Sequence, residues 1–190
     1  MDLNANVLLN AYCSGVFPMA DGRDGPIYWF APDPRAVLPL DSFRLSRSLR
    51  KVVERELFEV RFDTDFEAVM RACSARDNTW ISEEIIAVYT EVFDSGYGHS
   101  VECWQGGELV GGLYGVAIGG AFFGESMFHR VTDASKVALV HLVRHLRASG
   151  FVLLDTQFST PHLEHFGVTE MPRIEYEQLL GEAISMDDLW

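Results

Sequence analysis

At 190 residues the chain fits one globular domain, or one domain with a small appendage, and 48% hydrophobic residues supply an ample core. No uninterrupted apolar run reaches the roughly 18 residues of a membrane-spanning helix, and Met1-Asp2-Leu3-Asn4 lacks the basic start of a signal peptide. A net charge of −13 argues against general polyanion binding, and Cys13, Cys73 and Cys103 read as reduced thiols in a cytoplasmic monomer with no membrane partner.

Residues 3–14 predict a short helix, with Leu8, Leu9 and Tyr12 on one face and Gly15 as its stop. Residues 27–30 read as a short strand that Pro32 and Pro34 end, and residues 37–40 offer another. Ser46 caps a helix to about residue 56, with Leu49, Val52 and Val53 inward and Arg47, Arg50 and Lys51 outward. The domain boundary is expected here, between a small irregular unit over 1–57 and a larger one over 58–190. Residues 58–62 alternate as a strand, 63–73 follow as a helix, and 77–81 form a loop that displays Trp80. Ser82 caps the next helix, Glu83 and Glu84 oppose its dipole, and Gly96 ends it.

Residues 100–104 and 108–113 are strands joined at Gln105-Gly106-Gly107, and Gly119-Gly120 marks a second hairpin that carries the sheet on to Glu125. A long helix starts at Thr132-Asp133, with Leu139, Leu142, Val143 and Leu146 as its apolar face. The run 151–154 reads as a buried strand that delivers Asp155-Thr156-Gln157 to its end. Residues 162–167 form a helical turn, and 172–190 a polar, acidic tail. A small α/β unit followed by a meander, a helix and a strand predicts an α+β chain. Its larger domain is expected to be acetyltransferase-like (GNAT-type), with a mixed sheet and a cleft where the central strands splay.

Asp155 and Gln157, two apart on a strand end, share a face; they either serve a site or cap a neighbouring backbone edge. Glu125 follows a long apolar stretch, where a carboxylate must be hydrated, paired or functional. If it ends a neighbouring strand, the three converge on one cleft. Gly111 and Gly112 within a strand pattern mark a close approach by backbone or ligand. Arg35, Arg44, Arg47, Arg50, Lys51 and Arg55, against only Asp41 and Glu54, make a basic island. It is either a solvated face or one confined anionic contact. Trp80, in a polar loop, is placed to stack on a base or ligand. His141 and His145 are four apart, but no His-Glu-x-x-His pattern or cysteine set accompanies them, so no metal is expected. The glycine-rich stretch carries neither dinucleotide nor phosphate-loop fingerprint, and no cofactor is expected.

Several motifs together are informative. Tyr28-Trp29-Phe30-Ala31-Pro32-Asp33-Pro34-Arg35, Ser46-Arg47-Ser48-Leu49, Thr79-Trp80-Ile81 and Gly98-His99-Ser100-Val101-Glu102 come in that order. Leu109-Val110-Gly111-Gly112-Leu113-Tyr114-Gly115, Gly124-Glu125-Ser126-Met127-Phe128, Asp133-Ala134-Ser135-Lys136 and Leu154-Asp155-Thr156-Gln157 complete the series. It resembles the leucyl/phenylalanyl-tRNA–protein transferase family across nearly the whole chain. The resemblance implies transfer of leucine or phenylalanine from aminoacyl-tRNA to proteins beginning with arginine or lysine, which marks them for the N-degron pathway. It implies Asp155 and Gln157 as a catalytic pair, with Glu125 beside them. Trp80 is implied to contact the terminal adenosine of the tRNA; Arg47, Arg50 and Lys51, from the basic island, are expected to help bind that 3′ end. Leu113, Phe122, Met127, Leu139 and Leu154 are implied to line the pocket for the transferred side chain.

Two departures stand out: the family commonly carries an extension ahead of the segment that starts here, and its frequent Phe-Pro-Trp is Phe17-Pro18-Met19. The expected chemistry has the Gln157 carbonyl accepting from the attacking amine, Asp155 orienting Gln157, and Glu125 attracting the cationic terminus. Competing readings are transfer onto Asp or Glu termini, an acyl-CoA N-acyltransferase on the same fold, or a peptide-binding adaptor without catalysis.

Overall fold

The computed structural model describes residues 3–190, so the reading of Met1 and Asp2 lies outside it. In chain order the elements are α1 (Ala5–Cys13), β1 (Phe17–Ala20), β2 (Ile27–Phe30), β3 (Arg35–Val37), α2 (Arg47–Glu54), β4 (Glu59–Phe62), α3 (Phe66–Ser74) and α4 (Glu83–Asp94). They continue as β5 (Gly98–Gln105), β6 (Glu108–Ile118), β7 (Ala121–His129), α5 (Ala134–Ser149), β8 (Leu153–Gln157), α6 (Pro161–Glu164), β9 (Thr169–Met171) and α7 (Arg173–Ile184). Side-chain caps fix most helix starts. Asn4, Ser46, Asp65 and Ser82 each accept from a backbone N–H three residues on.

Seven strands form one sheet in the order β4-β5-β6-β7-β8-β3-β9. Gly106 and Gly107, both at positive φ, turn β5 into β6, and Gly119 at φ 55° turns β6 into β7. All neighbours are antiparallel except β7 and β8, whose parallel pairing requires the crossover that α5 supplies. That pairing covers only Ala121↔Leu153, Phe122↔Leu154 and Phe123↔Asp155. Beyond it β7 runs on to His129 while β8 turns to β3, so the sheet opens at its middle.

One face of the sheet packs Tyr12 of α1, Val69 of α3, Tyr89 of α4 and Tyr176 of α7 into a core. The other face packs Leu49 and Val53 of α2 with Leu139, Leu142 and Leu146 of α5. Among the described residues no helix is long and apolar enough to cross a membrane.

Two expectations change. The strand expected at 37–40 is Arg35–Val37, and it lies between β8 and β9, so the first 57 residues contribute to the main sheet. The polar tail instead contains α7, which buries Tyr176, Leu180 and Ala183, and ends on Trp190 stacked 4.1 Å from the His99 ring. The close approach expected at Gly111 is made by α5: a Cβ there would lie 2.5 Å from the Cβ of Ala134 and 3.0 Å from its backbone carbon.

Candidate active site

The divergence of β7 and β8 leaves a cleft of about 660 Å³. Its apolar lining includes Leu113, Met127, Leu139, Leu142, Leu154 and Leu163. Trp80, Met19 and Arg76 line it as well. The β1–β2 hairpin is tied to the Trp80 loop by the Ala20 N–H, which donates to the Trp80 carbonyl at 3.2 Å. The Arg76 guanidinium in turn donates to the Met127 carbonyl of β7.

Glu125 owes its position to a β-bulge. The β6–β7 register steps from Tyr114↔Ser126 to Gly115↔Gly124, leaving Glu125 without a cross-strand partner. An extra residue of this kind re-aims a side chain. Here it turns Glu125 toward α1 and α4, where the Tyr12 hydroxyl donates to Oε1 and the Tyr89 hydroxyl to Oε2. The two phenol oxygens also lie against each other, so the two hydroxyl hydrogens are shared among three contacts. Gln157 Nε2 donates to Glu125 Oε1 at 2.7 Å. Burial pushes the Glu125 carboxyl up to about 7, against the hydrogen bonds of Tyr12 and Tyr89, which lower it. The nearby Asp155 charge raises it further, and Arg35 lowers it.

Asp155 is fully buried and lies behind the cleft wall. Its Oδ1 accepts from Arg35 Nε at 3.0 Å and from the Gln157 backbone N–H at 2.8 Å. Its Oδ2 accepts from Arg35 Nη2 at 2.6 Å and from the Tyr176 hydroxyl at 2.7 Å. A second bulge shapes this wall, as the β3–β8 register steps from Ala36↔Gln157 to Val37↔Asp155. Gln157 adopts φ 65°, a left-handed conformation uncommon for a non-glycine residue.

The structure therefore brings Glu125, Asp155 and Gln157 together, with Gln157 and Glu125 on the cleft surface and Asp155 beneath it. The orientation expected of Asp155 is divided: Asp155 holds the Gln157 backbone, whereas Glu125 holds its amide. Of the expected pocket residues, Leu113, Met127, Leu139 and Leu154 line the cleft. Phe122 does not. It is fully buried below it, stacked 5.5 Å from the Trp190 ring. Trp80 lines the cleft as expected, but Arg47, Arg50 and Lys51 project into solvent from α2 and none lines it.

The basic island also loses Arg35, which is 1% exposed and ion-paired with Asp155. Burial opposes its charge, but the hydrogen bond and charge of Asp155 outweigh that and strengthen its hold on the proton. Arg35, Tyr12, Tyr89, Tyr176 and Arg76 were absent from the expected site. Arg35 stands between two prolines and a strand, a cue that it is not an ordinary surface arginine, whereas the tyrosines gave no signal beyond core spacing. His145 joins the Trp190 aromatic cluster at 4.5 Å, and the described residues contain no group of three or more His, Cys, Asp or Glu arranged to hold a metal.

Comparison with known proteins gives a consistent result. Residues 37–181 match the family model described as leucyl/phenylalanyl-tRNA protein transferase, and residues 1–33 match that of its N-terminal domain. A relative from Salinibacter ruber, named leucyl/phenylalanyl-tRNA--protein transferase, is 58% identical over 100% of this chain and 84% of its own length. Relatives of the same name from Gloeobacter violaceus and Paramagnetospirillum magneticum are 58% and 57% identical, covering 97% and 96% of this chain and 95% and 90% of theirs. Among solved structures, L-PGS from Bacillus licheniformis shows 14% identity and a TM-score of 0.45 over 84% of this chain and 55% of that one.

Proposed function

The chain belongs to the leucyl/phenylalanyl-tRNA–protein transferase family of aminoacyltransferases, and we propose that its central cleft joins leucine or phenylalanine to proteins that begin with arginine or lysine. One observation carries the reading. The Gln157 amide nitrogen is committed to Glu125, so the oxygen of the same amide is the group Gln157 offers to the cleft.

On this reading the aminoacyl side chain lies among Leu113, Met127, Leu139 and Leu154, and the terminal adenosine stacks on Trp80, with Met19 nearby. Leucine and phenylalanine suit such walls, while a β-branched side chain loses only about 1–3 kcal/mol by shape. The donor ester is already activated, so positioning of two bound reactants supplies most of the rate.

An N-terminal ammonium has a pKa of about 7.7–8.0, close to that of the Glu125 carboxyl, at about 7. Glu125 attracts the cation and takes its first proton, leaving a neutral amine hydrogen-bonded to the Gln157 carbonyl oxygen. The amine nitrogen attacks the ester carbonyl carbon. A C–N bond forms, the bond to the ribose oxygen breaks, and that oxygen takes the second proton. Glu125 then returns its proton to solvent, and the product carries a new N-terminal residue read by the N-degron pathway.

The splaying of two parallel strands after a meander also supports the acetyltransferase-like assignment. The test incubates labelled Leu-tRNA with peptides beginning with Arg, Lys, Asp or Glu. RNase-sensitive transfer is expected onto Arg and Lys, with Gln157→Ala lowering kcat about 100-fold or more. Transfer onto Asp and Glu alone overturns the acceptor assignment. A Gln157→Ala variant with wild-type turnover overturns the role of the amide.

A further inference from the structure

The mechanism leaves a buried cation unused. Arg35 is among the largest fully buried side chains of the described residues, and its guanidinium lies between the rings of Phe17 and Tyr176, at 4.8 and 4.6 Å from their centroids. It donates twice to Asp155 through Nε and Nη2, and through Nη1 to the Gly15 carbonyl at 3.0 Å. Both Asp155 oxygens are therefore occupied, and neither is free for substrate. What Asp155 does hold is the Gln157 N–H, at a residue with φ 65°. A left-handed non-glycine conformation persists only where its surroundings impose it.

We propose that Arg35 and Tyr176 are positioning residues for the reaction. They fix Asp155 as an acceptor for the Gln157 backbone, which aims the Gln157 amide at Glu125 and its oxygen at the incoming amine. The inference rests on the role given to Gln157 above. It makes the catalytic amide dependent on two remote segments. Arg35 anchors the segment carrying Tyr12 and Met19 through the Gly15 carbonyl, and Tyr176 anchors α7. A bidentate arginine suits this task because its planar fork fixes direction as well as charge, which a lysine does not.

A double-mutant cycle on the full chain tests it. Tyr176→Phe, Arg35→Lys and Arg35→Met are each placed in wild-type and Gln157→Ala backgrounds, with kcat, the KM for Leu-tRNA and Tm measured for all. Tyr176→Phe is expected to lower kcat roughly 5- to 10-fold with KM within about twofold, and Arg35→Met to lower it further. Arg35→Lys should restore part of the Arg35→Met loss. In the Gln157→Ala background, none should lower kcat by more than about twofold. Equal losses in both backgrounds overturn the positioning roles while leaving Gln157 in place, as does a wild-type kcat for Tyr176→Phe and Arg35→Lys. If Gln157→Ala itself turns over like wild type, the functional reading and the inference both fall. Tyr176→Phe removes a single hydroxyl, so it decides the outcome if Arg35→Met does not fold.

Discussion

Two carboxylates meet Gln157 from opposite sides, and their partners differ in kind. Asp155 sits against a guanidinium, a phenol and a backbone N–H. Glu125 has two phenols and an amide, and no cation touches it. A buried carboxylate gripped by a guanidinium fork is suited to holding geometry. One given only neutral donors keeps a proton affinity near neutrality, useful for exchanging protons with an amine. Environments that separate two carboxylates in this way separate their roles.

The largest effect expected comes from breaking the fixed pair. Asp155→Ala leaves the Arg35 charge buried without a counter-ion, which costs about 3–5 kcal/mol of stability. Replacing both partners together, as Arg35→Met with Asp155→Leu, should recover much of that stability and none of the activity. Chemical denaturation and transfer assays on the two variants check this. Equal stability of Asp155→Ala and the double variant would show that the pair is not held as a buried ion pair.

The poised carboxylate should respond in the opposite sense. Glu125 is raised in the folded chain to about 7, so its stabilising effect is present in full below its ordinary range and is lost as pH rises through about 7. Glu125→Gln should therefore be more stable than wild type at pH 8, by about 1–3 kcal/mol, with little difference at pH 4.5. Its transfer rate should fall roughly 10- to 100-fold and lose the acid limb centred near 7. Denaturation at the two pH values and a pH–rate profile read these out. A variant that keeps both the limb and the rate would remove Glu125 from proton transfer.

How far this was legible from the sequence follows from the same residues. The hairpin glycines, the capped helices and the buried run before Asp155 follow from local rules, which put Asp155 and Gln157 on one strand end, while their meeting with Glu125 depends on the tertiary pairing of β7 with β8. The side on which Glu125 faces does not follow from those rules. Strict alternation would send Glu125 to the same side as Met127, and the bulge that reverses it is a tertiary register shift with no local cue. Arg35 was hidden differently. It belongs by sequence to a run of basic residues, and only the pairing of β3 with β8 carries it under the sheet. The tail misled by composition, since three buried residues on α7 suffice to dock an otherwise polar helix.

The smallest effect should come from the rest of that basic run. Arg47, Arg50 and Lys51 lie on the solvent face of α2, whose inner face, Leu49 and Val53, packs against α5. Replacing all three with alanine should leave stability within about 0.5 kcal/mol, because no buried group loses a partner. If these residues meet the tRNA backbone, the KM for Leu-tRNA should rise and its dependence on log salt should flatten by up to about three phosphate contacts. The same variant should transfer leucine from leucyl-adenosine at the wild-type rate, because none of the three lines the cleft. Equal losses with leucyl-adenosine and Leu-tRNA would place α2 in the chemistry; an unchanged salt slope would leave it a solvated helix face. A flattened slope with unchanged leucyl-adenosine transfer separates Arg35 from its basic neighbours, one cation serving the geometry under the sheet and the others the approach of the polyanion.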